Sequence, residues 1–169
     1  MIRHAVSNLF FLFLLTACEG GKEGNSPLFE MIFVRDGRGL FRGTGFGMEK
    51  DTVAEMEAGN IIFSDALGIR IGLDAGPGRA ASLDYFFAGK PEVLAGIALN
   101  LSMRDEFETV ALYREIESHL MEKYGVPDGG FGELRWRSQE VDAEVILKLD
   151  EAKTAILLNF VQREDRKIM

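Results

Sequence analysis

The side chains that could perform acid–base chemistry are concentrated between residues 105 and 120. Two facing carboxylates are enough for some hydrolases, and a single histidine, His119, is the only one beyond the first seventeen residues. A histidine-based zinc site needs two or three such ligands, so we interpret His119 as structural. Acidic residues are also favoured at a helix start and on a solvated helix face, which is the alternative interpretation of the carboxylates. The glutamates concerned are Glu106, Glu108, Glu115 and Glu117.

Other sequence patterns with known chemistry are incomplete. No Gly-x-Ser-x-Gly sequence precedes a helix. The segment 72–79 lacks the Gly-Lys-Ser/Thr ending of a phosphate-binding loop, and Gly37, Gly39 and Gly43 miss the dinucleotide spacing by one residue. Arg135-Trp136-Arg137 could bind an anion, but strand alternation more simply buries the tryptophan and exposes the arginines. We therefore expect no catalytic, cofactor-binding or metal-binding residues.

The first seventeen residues have the composition of a secretory signal peptide. Arg3 gives the start a positive charge, residues 5–15 are mostly apolar, and small residues close the segment. The apolar stretch is too short to cross a bilayer, which takes about 20 residues as a helix. A polar, glycine-rich segment follows at once, so the sequence predicts a cleaved leader and not a membrane-spanning anchor.

Cys18, the only cysteine, stands where this leader ends. Leu15-Thr16-Ala17-Cys18 resembles the lipobox of bacterial lipoprotein precursors, and the resemblance covers residues 1–18. It implies cleavage before Cys18, lipidation of its sulfur with diacylglycerol and frequent acylation of the new amino group, so palmitate-type chains are expected. It also implies export and attachment to a membrane, the outer membrane facing the periplasm if the cell is Gram-negative. The alternative is an ordinary cleavage site after Ala17.

Composition divides the chain into four parts. Residues 1–17 form the leader, residues 18–27 the lipidated cysteine and a glycine-rich flexible tether, residues 28–163 one domain, and residues 164–169 a tail. The loss of Arg3 with the leader lowers the formal charge from −8 to −9. Because a protein with this net negative charge repels phosphate backbones, we exclude nucleic acid as a partner. No internal repeat is visible.

The domain is predicted to be α+β, with a mostly antiparallel sheet packed against one long and one short helix. Residues 48–57 suit the short helix. Residues 106–124 suit the long helix, with Asp105 as its cap and Gly125 as its stop. Alternating apolar residues predict the strands, of which the first and the glycine-rich second have the least regular patterns. The predicted strands are 29–33, 40–47, 60–63, 69–73, 83–87, 93–101, 133–137, 142–149 and 156–160.

A second resemblance concerns the folded part. A Gly47-Met48 pair before a short helix, a run of strands, and a helix ending in Tyr124-Gly125-x-Pro127 resemble small secreted α+β lipoproteins of the β-lactamase-inhibitor-like group. Those proteins usually have threonine or serine after the Gly-Met pair, where Glu49 stands here, so no functional residue is carried over.

These observations predict a membrane-anchored, non-enzymatic binding or structural module of the bacterial envelope, with an envelope protein as its partner and its oligomeric state left open. The alternative is a carboxylate-based hydrolase or a small-ligand-binding lipoprotein. A pocket with two facing carboxylates would favour the alternative. An exposed apolar patch or an uncovered strand edge would favour the binding module.

Overall fold

The computed structural model describes residues 25–34, 39–138 and 142–163. Cys18, the leader, most of the predicted tether and the tail lie outside these residues. The described residues form three helices and eight strands, which are, in chain order, α1 (Pro27–Ile32), α2 (Lys50–Met56), β1 (Ile61–Ser64), β2 (Gly68–Leu73), β3 (Arg79–Ala88), β4 (Val93–Met103), α3 (Glu106–Tyr124), β5 (Asp128–Gly130), β6 (Glu133–Ser138), β7 (Ala143–Leu149) and β8 (Ala155–Gln162).

All eight strands belong to one antiparallel sheet with the order β1-β2-β3-β4-β8-β7-β6-β5. The chain therefore builds two similar halves, each a helix followed by four strands in sequence, and their last strands, β4 and β8, pair at the centre. This repeat of architecture is absent from the sequence because the two helices differ in length and the strands differ in composition. The predicted α+β class is confirmed.

Helix α3 covers one face of the sheet. It spans the predicted residues; the Asp105 side chain accepts a hydrogen bond from the Glu108 backbone N at 2.8 Å, and Gly125 ends the helix at φ +84°. Its apolar stripe is buried against β4, β6, β7 and β8. The same face of the sheet supplies most of the rest of the core, with alternate residues of β2, β3, β4, β6, β7 and β8 buried beneath the helices. The buried residues of α3 are Thr109, Leu112, Tyr113, Ile116 and Leu120.

The first predicted strand is a helix. The Ser26 hydroxyl accepts a hydrogen bond from the Phe29 backbone N at 3.3 Å, and Pro27 occupies the first helical position, which needs no amide donor. Phe29 and Phe33 then lie on one side of α1, with their rings stacked at 4.5 Å between centroids. The prediction of a strand at 29–33 was wrong because a short apolar run fits both periodicities, and the serine–proline cap decided between them.

The glycine-rich second strand predicted for residues 40–47 was also wrong. Most of this segment turns back on itself, with a single bridge between Phe41 and Thr44. Gly39, Gly43 and Gly47 have φ near +82° to +85°, which suits turns and not strands. At Gly39 a Cβ atom would lie 2.5 Å from the Thr44 carbonyl oxygen, so glycine is required there.

The other predicted elements are confirmed, with one change of register. Residues 93–101 form a strand, but Val93 and Ala95 do not share the core face of Ile97, as their alternation predicted. Phe86 pairs with Gly96 and Phe87 with Leu94, so Ala95 is an extra residue that shifts the register. Before this bulge Leu94 points into the core, fully buried. The three-residue strand β5 was not predicted.

Candidate functional site: the uncovered face of the sheet

The second face of the sheet carries no described helix. Its outward residues can be read from the pairing, which places Ser82 beside Asn100, Asn100 beside Leu157, and Leu157 beside Lys148. Most outward side chains on the central strands β3, β4, β8 and β7 are small and uncharged. Larger and charged outward side chains lie toward the two edges of the sheet. We call this surface the open face. Its central residues are Ala80, Ser82, Gly96, Ala98, Asn100, Ser102, Ile146, Ala155, Leu157, Asn159 and Val161.

A groove of about 560 Å³ crosses one end of the open face, where β3, β4, β7 and β8 meet. Its lining combines apolar side chains such as Leu157 with the hydroxyls of Ser82 and Ser102 and the Asn100 amide. The Lys148 side chain also reaches it. This volume lies in the range of small-ligand sites, about 300–1,000 Å³, and hydrogen-bonding groups are available at its floor.

Two smaller depressions continue along the same face. One of about 360 Å³ lies at the other end of β4 and β8, beside Phe86 and Val161. Another of about 210 Å³ lies between Phe63, Leu67, Arg70 and Phe86. The open face is therefore uneven along its whole length, which suits a surface that receives protruding side chains of a partner.

The corner formed by β1, the β1–β2 turn and β3 is the most apolar part of this surface. Ile62 is 66% exposed and Leu67 73%, and Phe63 and Phe86 are about half exposed. Large apolar side chains grouped in this way mark interaction sites more often than single ones do. β1 is also an edge strand, but it is short and its pairing with β2 is irregular at Ile62, which limits its use as a template for another strand.

The charges beside this corner form an internal pair. The Arg70 guanidinium donates to both carboxylate oxygens of Asp84, at 2.6 and 3.1 Å, and the Asn100 amide donates to one of them at 3.3 Å. The hydrogen bond and the charge of Asp84 raise the pKa of Arg70. Because this pair is already formed, a partner can cover it without leaving an unpaired charge.

On the other side of the open face, toward β6, four charged residues are also paired with one another. Glu133 accepts hydrogen bonds from Lys148 at 3.0 Å and from Arg135 at 2.6 Å, and Arg135 also lies 3.5 Å from Glu144. Hydrogen bonds from Lys148 and Arg135 hold the pKa of Glu133 below its usual value. The predicted outward position of Arg135 and the burial of Trp136 between the arginines are confirmed. Trp136 Nε1 donates to the Gly125 carbonyl oxygen at 2.9 Å.

The glutamates Glu106, Glu108, Glu115 and Glu117 of α3 share no common partner. Each is engaged with a different partner: Glu106 with Lys153 at 2.6 Å, Glu108 with Arg79, Glu115 with the Ser26 hydroxyl at 2.6 Å, and Glu117 with Arg114 at 2.5 Å. His119 contacts the rings of Phe33 and Phe29, at 4.6 and 5.4 Å between centroids. Each of these five groups therefore has a side-chain contact that holds it in place.

A buried polar cluster was missed by sequence reasoning. Arg42, Glu57 and Tyr85 are almost fully buried, and the Tyr85 hydroxyl donates to Glu57 at 3.0 Å. Burial, and then the negative charge of Glu57, raise the pKa of Tyr85. The three residues are far apart in sequence and have ordinary neighbours, so no local pattern reveals them. The cluster lies on the helical side of the sheet, away from the open face, and joins the elements of the first half.

Two further findings concern anchoring and metals. None of the described helices is long and apolar enough to cross a membrane. Within residues 25–34, 39–138 and 142–163, no group of three or more histidine, cysteine or acidic residues is arranged to hold a metal ion. Cys18, the predicted lipidation site, lies outside the described residues.

In comparisons with known proteins, no family model, no curated protein and no solved structure matches this chain. The resemblance to β-lactamase-inhibitor-like lipoproteins stays a prediction.

Proposed function

We propose that this chain is the precursor of a lipid-anchored protein of the bacterial envelope, and that its domain is a non-enzymatic module that binds an envelope protein through the open face. The observation that carries the binding proposal is the state of that face, which is uncovered, uneven and apolar at one corner. Its charges are already paired across Arg70–Asp84 and Glu133–Lys148. Protein interfaces favour such surfaces because unpaired charges are depleted from their cores.

The size of the open face also fits this role. Eight strands at about 4.8 Å spacing make a sheet about 34 Å wide. Its longer strands extend for about 25 Å or more. A stable protein interface buries about 800 Å² on each partner. The open face can supply that area without a change in the fold.

The groove favours a second candidate, which is the binding of a small ligand by the same domain. Its volume and its mixture of leucine, serine and asparagine side chains suit an amphipathic molecule. A carboxylate-based reaction is less well supported, because Glu106, Glu108, Glu115 and Glu117 are each engaged with a different partner.

The lipid anchor is tested by Cys18→Ala. We expect the wild-type protein in the membrane fraction, with the mass of the added lipid, and the variant outside it. If both fractionate alike and neither carries lipid, the anchoring proposal fails.

The binding surface is tested by two matched substitutions. Ser102→Arg places a long cation in the groove, whereas Ser118→Arg makes the same change at an exposed position on α3. Wild type and both variants would be captured from membranes after crosslinking. We expect Ser102→Arg to lose the crosslinked protein partner by tenfold or more and Ser118→Arg to keep it. Equal yields from the two variants would contradict a partner on the open face, and a bound small molecule without a protein would favour the second candidate.

A further inference from the structure

The described chain begins on the helical side of the domain, and its position there restricts how an anchored domain can be oriented. The Ser26 hydroxyl donates to Glu115 of α3 at 2.6 Å, and the Asn25 amide donates to Glu30 at 3.0 Å. Asn25 also lines a depression of about 360 Å³ together with Arg114, Ser118 and Glu122. These residues of α3 point away from its buried stripe, so the chain leaves the domain beside the outer surface of that helix.

The open face lies on the opposite side of the molecule. A path from the outer surface of α3 to the open face first passes the helix itself, which is about 10 Å in diameter. It then passes the sheet, which lies one layer, about 10 Å, from the helix. It must then go round the sheet, either past a lateral edge, which adds at least two strand spacings of about 4.8 Å, or past the strand ends, which adds half a strand length, about 12 Å or more for strands of 7 and 11 residues. The shortest route from Asn25 to the middle of the open face is therefore about 30 Å or more.

The chain between Cys18 and Asn25 is shorter than this route. Even fully extended, it spans no more than about 25 Å. A coil of the same length has a root-mean-square reach of about 15 Å. If the lipid is attached at Cys18, the bilayer surface can approach the outer side of α3, but it cannot approach the middle of the open face without detaching α1.

We infer that the lipid anchor holds the open face away from the bilayer, so that its partner is a protein surface presented from the aqueous compartment and not by the lipid. This inference rests on the proposed anchoring at Cys18 and extends it to the partner's location. The apolar corner at Phe63 and Leu67 is then a contact for protein side chains and not for acyl chains. Charge agrees with this assignment, because the net negative domain gains nothing from anionic headgroups.

The orientation can be measured with a single engineered thiol, since Cys18 is the only natural cysteine and lipidation consumes it. The lipidated full-length mature protein would carry Ser118→Cys or, in the middle of the open face between Ala98 and Ile146, Asn159→Cys, labelled with an environment-sensitive fluorophore. It would be reconstituted into vesicles of phosphatidylethanolamine and phosphatidylglycerol containing nitroxide-labelled lipid. We expect the fluorophore at position 118 to be quenched at least twofold more strongly than that at position 159.

Equal quenching at the two positions, or stronger quenching at position 159, would overturn the inference. A second measurement tests the role of chain length. Insertion of about twenty glycine and serine residues between Glu23 and Gly24 should reduce the difference between the positions, because the longer segment permits either side to face the lipid. An unchanged difference would mean that chain length does not set the orientation. Vesicle flotation of the Cys18→Ala variant separates these outcomes from a failure of the anchor itself, since an unanchored domain would not float with either label.

Discussion

Arg42 and Glu57 form a two-pronged ion pair inside the domain, with Nε–Oε1 and Nη2–Oε2 distances of 3.0 and 3.2 Å. The remaining guanidinium nitrogen of Arg42 donates to the carbonyl oxygens of Met31 and Ile32, at 2.9 and 3.3 Å. These carbonyls lie at the end of α1, where the helix itself provides no donors. One buried side chain therefore joins α1 to α2, and through Glu57 to Tyr85 in β3.

Arg42 has an unusual backbone conformation, with φ +51°. A non-glycine residue in the left-handed region costs about 1 kcal/mol or more. The conformation is retained because it directs the guanidinium into the core beside Glu57. Helix α2 is held to the domain largely by this contact, since Val53 is its only buried residue.

Glu57→Gln should therefore be strongly destabilising. The substitution removes the charge that balances Arg42, and breaking a buried pair from one side costs about 3–5 kcal/mol. The double variant Arg42→Met/Glu57→Leu should recover much of this loss, because no charge is left buried. Urea unfolding of the three proteins measures the difference. A double variant that is less stable than Glu57→Gln would show that the pair contributes beyond its charge balance.

Tyr85 predicts a loss of stability at alkaline pH. Its folded pKa is raised above the ordinary value of about 10, so between these two pKa values the unfolded chain has lost a proton that the folded protein keeps. Its contribution is complete below about pH 10 and falls by about 1.4 kcal/mol per pH unit above it. Urea unfolding at pH 9–11 should show this slope.

Tyr85→Phe is the matching variant. It should be less stable than wild type at neutral pH, because Glu57 loses a hydrogen bond. Its slope between pH 10 and 11 should be smaller by the contribution of one proton. If the free energy of unfolding falls equally with pH in both proteins, a group other than Tyr85 causes the alkaline loss of stability.

The cap of α3 is open to a conservative test. Asp105→Ala removes the acceptor of the Glu108 backbone N–H and should cost about 1 kcal/mol. Asp105→Asn keeps an acceptor oxygen in the same position and should stay within a few tenths of a kcal/mol of wild type. Thermal unfolding at pH 7 compares them. If both variants lose the same stability, the charge of Asp105 matters and its cap geometry does not.

The sequence predicts best those elements whose apolar face is long and regular. In β7 and β8, residues such as Val145 and Leu158 alternate without interruption, and α3 shows its stripe over five turns. Helix α1 was assigned to a strand because six residues of mixed hydrophobicity carry little periodicity. The decisive signal there was Ser26-Pro27, a helix start that stands just outside the apolar run.

The candidate site was less predictable than the fold. The open face exists because β4 pairs with β8 across the centre, a contact between residues about sixty positions apart. Until that order is known, Ser102 and Ala155 are simply small residues of two separate strands. The Arg42–Glu57 pair is equally hard to predict from the sequence, because its members lie fifteen residues apart. Arg42 also has a positive φ, which no local sequence pattern indicates.

The bulge in β4 gives the sharpest contrast between the sequence pattern and the structure. Alternation predicted Ala95 in the core, whereas the structure buries Leu94 and leaves Ala95 only partly buried. Leu94 also exchanges backbone hydrogen bonds with the segment before α2, donating to the Met48 carbonyl at 2.8 Å and accepting from the Gly47 N–H at 2.9 Å. Its side chain and its backbone are therefore both fixed by neighbours.

Leu94→Ala should consequently cost about 2–5 kcal/mol, the usual range for a leucine truncated in a packed core. Ala95→Ser should change stability by no more than about 0.5 kcal/mol, because the bulge leaves that side chain beside solvent. Urea unfolding of both variants gives the two values under one condition. If the larger loss came from Ala95→Ser, the strand would follow simple alternation, and Val93 and Ala95 would share the core face of Ile97 while Leu94 pointed to the open face. The expected order instead shows that the extra residue at Ala95 turns Leu94 into the core at the start of β4.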